Sequence, residues 1–333
     1  MPRIFITPEF WYKNNIFSKV KIFLLFPFSV LWILVDEFKR YFSKTYKSEL
    51  KVVCIGNLTV GGTGKTPFAI YTYKVLKKLG YRPVFLTRGY GGVKNGPLEV
   101  NYQHNFHDVG DEAILLSKVG TTIVSKNRFL GAKFIEKHQY KFNVIIMDDG
   151  LQNYQLKQDV KFLLIDQYLK FGNGYCLPAG PLRQTIKRGL TEIDKIILTG
   201  ENNENENVLF KYFNIPVIKS NIWTTNLPEI KKEKLFAFCG LANPNKFFET
   251  LQKNGYEITH TKVFPDHYAY KKGEIDKLIL DANNKNLTLI TTEKDYVKIL
   301  ENKNHICFLP IELRLTQRDK LNFELFLQEK LND

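Results

Sequence analysis

Cysteine is scarce in this chain: Cys54, Cys176, Cys239 and Cys307 lie far apart, with no CxxC pair among them. That spacing excludes a zinc ribbon and a disulfide framework, and a reducing compartment is the simpler setting. Acidic side chains are also short in supply, 34 against 48 Lys and Arg, which leaves a net charge of +14. The excess favours phosphate-bearing partners, whether nucleotides, nucleic acid or an anionic membrane face, without choosing among them. No aromatic-basic recognition motif accompanies it, so nucleic acid is not an expected partner. There is no internal repeat.

Apolar runs of spanning length are missing too. The longest, Ile22 to Val35 (IFLLFPFSVLWILV), has 14 residues and contains Pro27. A spanning helix needs about 18 to 20, so the run is expected to enter one leaflet, with Pro27 interrupting it. Lys19 and Lys21 precede it, while Lys39, Arg40, Lys44 and Lys47 follow, which should keep the body of the protein cytoplasmic. Trp11, Tyr12 and Trp32 suit a membrane interface, giving an expected membrane-attached stretch over residues 10–35. No small-residue cleavage site follows Val35, which argues against a signal peptide. A buried core helix and a true spanning segment are the alternatives.

What the chain does have is a globular balance, 44% hydrophobic and 25% charged over 333 residues, enough for two domains with their own cores. From Lys51 onward, short apolar runs (VVCIGN, RPVFLTRGY, TTIVS, NVIIMDD, VKFLLID, DKIILTG) alternate with helix-length segments. Strands this continuously apolar are usually buried on both faces of a parallel sheet. The expected fold is α/β: a P-loop NTPase-like, doubly wound, mostly parallel sheet, with a smaller C-terminal α/β domain and an N-terminal membrane-associated helix. The polar stretch GENNENEN, 200–207, suggests a surface loop or linker. The expected division is 1–50 membrane-associated, 51–205 P-loop domain and 206–333 smaller domain closing the cleft.

The stretch IGNLTVGGTGKTP, residues 55–67, reads as a phosphate cradle between a strand and a helix. Aligned on Gly64, Lys65 and Thr66, the GxxxxGK[ST] pattern begins at Thr59 instead of glycine. The segment Thr59, Val60, Gly61, Gly62, Thr63, Gly64, Lys65, Thr66 is the expected nucleotide-binding loop, with Lys65 on the β/γ-phosphates and Thr66 on Mg²⁺. Val60 stands where partitioning ATPases carry a signature lysine, which argues against their dimer-activated cycle. Such loops take a second metal ligand from an Asp ending a hydrophobic strand, and NVIIMDDG supplies Asp148 and Asp149. Helix capping or a turn is the plain alternative for both.

The motifs VGGTGKTP, LTRGYGG, VGDEA, DDGLQ, GNGYCLPAGPLR, FPDHY and TTEKDYVK occur in this order between Asn57 and Lys298. With them the chain resembles the tetraacyldisaccharide 4′-kinase (lipid A 4′-kinase) family. The resemblance implies ATP and Mg²⁺ as cofactors, and an acylated disaccharide 1-phosphate lipid as acceptor of phosphate on its 4′-hydroxyl. The implied location is the cytoplasmic face of the inner membrane, with no obligate protein partner. It also implies Asp111 as the base that takes the hydroxyl proton, and His267 as its dyad partner across a cleft that must close. Read without the resemblance, His267 is a satisfied hydrogen bonder in a turn after Pro265. Arg88 and Arg183 are candidate phosphate clamps, Arg88 the better placed. Two family positions differ here: Gln184 replaces a glutamate and Ala113 a proline. A membrane-associated nucleotide switch and a soluble small-molecule kinase are the competing functions.

Overall fold

The computed structural model of the chain describes residues 8–200, 215–225 and 234–332, so the polar stretch after Gly200 lies outside the described residues. Seven strands run parallel: β1 (Lys51–Asn57), β2 (Pro83–Thr87), β4 (Thr122–Val124), β5 (Val144–Asp148), β6 (Val160–Asp166), β7 (Lys195–Thr199) and β8 (Val217–Thr224). With β3 (Leu98–Glu99) and β13 (Ile311–Leu315) as antiparallel edges, the order is β13-β8-β7-β6-β1-β5-β2-β4-β3. The central strands β1, β2 and β5 are buried at almost every residue, as their unbroken apolar runs require.

A second, four-stranded parallel sheet, β10-β9-β11-β12, comprises β9 (Lys234–Cys239), β10 (Glu257–Val263), β11 (Thr288–Thr292) and β12 (Cys307–Leu309). Helices Pro244–Lys253 and Lys272–Asn284 cover it and bury Phe247, Leu251, Ile275 and Leu278.

The expected division at 205/206 does not match this pairing. Strands β8 and β13, both beyond residue 206, belong to the first sheet. The last helix, Gln317–Asn332, places Phe323, Leu327 and Leu331 in one core with Val53, Phe68 and Phe162. Phe323 sits 5.6 Å from Phe68 and 5.3 Å from Phe162, ring to ring. The chain leaves the first sheet, builds the second from 234 to 309, and returns. A return of this kind depends on pairing between distant segments, so local composition carries no mark of it.

Helix α1 (Ile16–Phe42) begins at Asn15, whose side chain accepts the Ser18 amide at 2.8 Å. It runs through Pro27, contrary to the expected interruption. Proline removes one backbone hydrogen bond, and more than two apolar turns on each side carry the helix across. At 27 residues, with an 18-residue stretch of mean hydropathy 1.8, it is long and apolar enough to cross a membrane. One face nevertheless docks on the body. Ser29 Oγ donates to the Cys176 carbonyl (2.7 Å) and accepts from the Ala179 amide (3.0 Å). Trp32 Nε1 donates to the Arg183 carbonyl at 2.7 Å, and Asp36 accepts from the Tyr154 hydroxyl at 2.9 Å. Positions 29, 32 and 36 share a helical face. On other faces Phe17, Phe23, Leu24, Leu34 and Phe38 are all exposed.

Trp11 does not lie at a free interface as expected. It is 2% exposed and donates from Nε1 to the Pro178 carbonyl at 3.1 Å, the partner that a buried indole N–H requires. Trp11→Ala is expected to cost about 3–5 kcal/mol of stability. Urea unfolding followed by circular dichroism checks it, and a change under 1 kcal/mol contradicts this packing.

Candidate active site

The carboxyl ends of both sheets meet at one place. Strand β1 ends at Asn57, and helix α2 (Lys65–Lys78) begins at the lysine of the cradle. Gly64 caps α2 with φ of 85°, a left-handed conformation that a side chain rarely adopts and the turn into the helix requires. The loop is held from below: Asn57 Nδ2 donates to the Thr59 carbonyl at 2.7 Å, and Thr199 Oγ1 to that of Thr63 at 3.0 Å. It is held laterally by the LPAGPLR segment, where the Val60 amide donates to Pro181 (2.9 Å) and the Arg183 amide to Leu58 (2.7 Å). Lys65 lies in this frame, 8% exposed, with Nζ 3.3 Å from Asn57 Oδ1 and 3.8 Å from Asp149 Oδ1.

The two aspartates after β5 differ sharply. Asp149, in a left-handed conformation (φ 53°), receives Arg183 Nη1 on both carboxylate oxygens at 2.8 and 2.9 Å. Burial alone would raise its carboxyl, but Lys65 and Arg183 outweigh that and hold it at about 2. Asp148 is fully buried, and neither of its oxygens has a hydrogen-bond partner. Burial, followed by repulsion from Glu112, pushes it up to about 8 against the pull of Lys65.

An orphaned buried carboxylate beside a phosphate cradle is a fitting place for a divalent cation, so these residues pass the test for Mg²⁺. The described residues hold no cluster of three or more His, Cys, Asp or Glu poised for a metal. Phosphate oxygens and water would have to complete the coordination. A raised folded pKa has a stability signature. The Asp148 contribution is fully present below its ordinary value of 3.8 and is lost as pH rises toward about 8. Asp148→Asn is therefore expected to raise the Tm of ligand-free protein at pH 8 by a few degrees, at about 2–4 °C per kcal/mol, and to change little at pH 4. Differential scanning fluorimetry across that range reads it, and equal shifts at both pH values contradict it.

Across the site, Asp111 opens the helix Asp111–Ser117, with Gly110 before it at φ 88°. A side chain at Gly110 would come within 2.2 Å of the Tyr90 carbonyl, so glycine alone lets the LTRGYGG and VGDEA loops meet. Asp111 Oδ1 accepts the Glu112 amide at 2.8 Å, and Oδ2 lies 3.0 Å from Nδ1 of His267. The Asp111–His267 pair expected across the two sheets is thus assembled in this structure. His267 itself sits at φ 58°, the strained backbone that functional turns store. Its ring packs edge-on against Tyr90, centroids 5.0 Å apart. Nε2 of His267 faces Lys294 Nζ at 3.1 Å. Burial alone would raise Asp111, but Lys294 and the His267 hydrogen bond hold it well below the ordinary carboxylate range.

Arg88, exposed after β2, lies close enough to Arg128 to lower the latter's pKa. Arg183 is engaged with Asp149, the ion-pair reading of that residue. Gln184 is buried and accepts from the Tyr154 hydroxyl at 3.4 Å, so the position faces Tyr154. Four site residues have no counterpart in the sequence expectations: Asn57, Glu112, Arg128 and Lys294. Arg128 is 3% exposed, with Nη1 on the Ser125 carbonyl at 2.6 Å and Nη2 3.5 Å from that of Asp148. Burial drops its guanidinium to about 10. Glu112 and Lys294 stood inside quoted motifs, VGDEA and TTEKDYVK, yet neither carries a local sign of burial.

A doubly wound sheet, a glycine-capped cradle with a buried lysine, and a carboxylate-imidazole pair facing it define a P-loop phosphotransferase. The model of the tetraacyldisaccharide-1-P 4′-kinase family matches residues 21–332. The tetraacyldisaccharide 4′-kinase of Rickettsia canadensis is 36% identical over 326 residues, covering 97% of this chain and 98% of the relative. That of Rickettsia conorii is 36% identical over 320 residues, covering 96% and 97%. A crystal structure of Aquifex aeolicus LpxK in complex with ATP superposes with TM-score 0.72 at 27% identity, covering 92% of this chain and 98% of that one. The chain belongs to the tetraacyldisaccharide-1-P 4′-kinase family.

Proposed function

We propose that the chain transfers the γ-phosphoryl group of ATP to the 4′-hydroxyl of a tetraacylated glucosamine disaccharide 1-phosphate, at the cytoplasmic face of the inner membrane. The observation that carries this reading is the Asp111–His267 hydrogen bond, which joins a turn of the second sheet to the P-loop side of the cleft. The solved relative described with ATP and the names of the curated relatives supply nucleotide and acceptor.

Phosphoryl transfer asks a protein for positioning and charge neutralisation more than covalent chemistry. Lys65 and the amides of Gly62 to Thr66 hold the β- and γ-phosphates, and Arg88 reaches the transferring group from the end of β2. Thr66 and Asp148 would hold Mg²⁺, with Asp149 supporting from behind its Arg183 pair; the ion supplies neutralisation of phosphate charge. Asp111 accepts the proton of the sugar hydroxyl as its oxygen bonds to phosphorus and ADP leaves. A strongly acidic carboxyl suffices, because in a loose transition state the hydroxyl proton departs late.

Membrane attachment follows from the same substrate. Exposing acyl chains to water costs about 0.8 kcal/mol per CH₂, so the enzyme must work where the lipid lies. Helix α1 meets that need with one face docked on the body and an apolar remainder free for lipid. A helix held this way by its middle turns fits a segment lying in one leaflet, with the basic flanks on anionic headgroups. The test is ADP release in mixed micelles. The reading expects turnover with the acylated disaccharide 1-phosphate and none without it. Equal hydrolysis in both would move the assignment to a nucleotide switch.

A further inference from the structure

We propose that Lys294 is a positioning residue that fixes His267 as the Nδ1–H tautomer, so that the imidazole donates to Asp111 and is barred from taking a second proton. The proposal rests on the reading of Asp111 as the base, and adds to it the device that keeps Asp111 the proton acceptor.

The geometry leaves His267 one arrangement. Nδ1 is 3.0 Å from Asp111 Oδ2, and Nε2 is 3.1 Å from Lys294 Nζ. An ammonium has donors and no acceptor, so Nε2 must receive and the ring proton must sit on Nδ1, where it meets the carboxylate. Lys294 comes from the turn after β11, in the helix Glu293–Tyr296. It is kept charged by what faces it: Glu112 at 3.8 Å from the helix Asp111–Ser117, and Asp266 at 3.8 Å from the turn that bears His267. Burial alone would lower its pKa, but Asp111, Asp266 and Glu112 outweigh that and raise it.

Charge by itself would favour an imidazolium here. Asp111, Glu112, Asp266 and Asp295 act on Lys294, and Asp266 lies 4.0 Å from Nε2. A second ammonium acting on Asp111, Lys298, is itself paired with Asp295 at 2.7 Å. Tyr90, the remaining neighbour, offers a ring edge and no charge. A second proton would have to enter at Nε2, directly against the Lys294 ammonium. Lys294 therefore removes the option that the carboxylates would otherwise promote. If it were lost, His267 would become an imidazolium beside Asp111 at neutral pH, a donor at both nitrogens whose charge weakens the hold of Asp111 on the hydroxyl proton.

The test uses full-length protein in detergent micelles, labelled with ¹⁵N-histidine and read by long-range ¹H–¹⁵N correlation, with His267 assigned from its loss in His267→Gln. The wild type is expected to show a protonated Nδ1 and bare Nε2 from pH 6 to 9. Lys294→Met is expected to give an imidazole that takes a second proton within that range. Lys294→Arg, which retains a donor, should keep the wild-type signature. In turnover, Lys294→Met should lose about 10-fold in kcat at pH 6.5 and recover by pH 9, with acceptor KM little changed. An Nε2–H tautomer in the wild type, or a Lys294→Met imidazole that titrates as in wild type, overturns the proposal. Should Lys294→Met not fold, the wild-type and Lys294→Arg spectra decide. These spectra need neither ATP nor acceptor, so failure of the kinase reading shows up separately, as absent turnover with the tautomer intact.

Discussion

Asp111→Ala is expected to lower kcat by about 10²- to 10⁴-fold, the range that a positioned proton acceptor contributes. The carboxylate is 3% exposed and bonded to both His267 and the Glu112 amide, so no water can take its place without disturbing the pair. ATP affinity should change little, because Asp111 lies across the cleft from the cradle. Its pH dependence has a definite sign. The folded pKa is depressed, so its stabilising contribution is present above the unfolded value of about 3.9 and is lost only as pH falls well below it. Protonation of Asp111 should therefore put no acid limb on kcat above about pH 5. Asp148, raised to about 8, behaves oppositely. Single-turnover kinetics on Asp111→Ala and Asp111→Asn check both statements. Near-native turnover in either variant would remove Asp111 from the chemistry.

Lys65→Ala is expected to lower kcat/KM for ATP on the order of 10³-fold, the scale of losing one preorganised charge at developing phosphate charge. Two local effects add up. The variant loses the Nζ contact with Asn57 Oδ1 at 3.3 Å, and it strips Asp149 of one of its two cations. Lys65→Arg should rescue poorly, because a planar guanidinium does not fit a slot built for a compact point charge. Isothermal titration with a non-hydrolysable nucleotide separates binding from catalysis, and unchanged ATP affinity and rate would contradict the placement of the lysine.

Much of the first sheet was legible in the sequence, because buried parallel strands declare themselves as unbroken apolar runs: VVCIGN, NVIIMDD and VKFLLID became β1, β5 and β6. The cradle was legible for the same reason that it works, since glycine and lysine at fixed offsets have few other uses. What did not show was anything that depends on distant pairing. Strand β8 and the edge strand β13 alternate or half-expose their residues, and β13 finds its place only against β8, about ninety residues earlier in the chain. The last helix returns to the first core through Phe323 and Leu327, residues indistinguishable in sequence from those of any amphipathic helix. Within the site, Asp111 and His267 are 156 positions apart, and no spacing could have joined them. The motif resemblance suggested the pair, and the fold brings it together. Lys294 was hidden differently, as one charge in a turn that reads as solvated.

The most direct test of the account is transfer of ³²P from [γ-³²P]ATP to tetraacyl disaccharide 1-phosphate in mixed micelles with Mg²⁺, with the labelled position located on the sugar. The account predicts one new monophosphate ester, at the 4′-oxygen, formed by the native chain and lost in Lys65→Ala. Nucleotide binding with no label in the lipid, or label at another position, would contradict it.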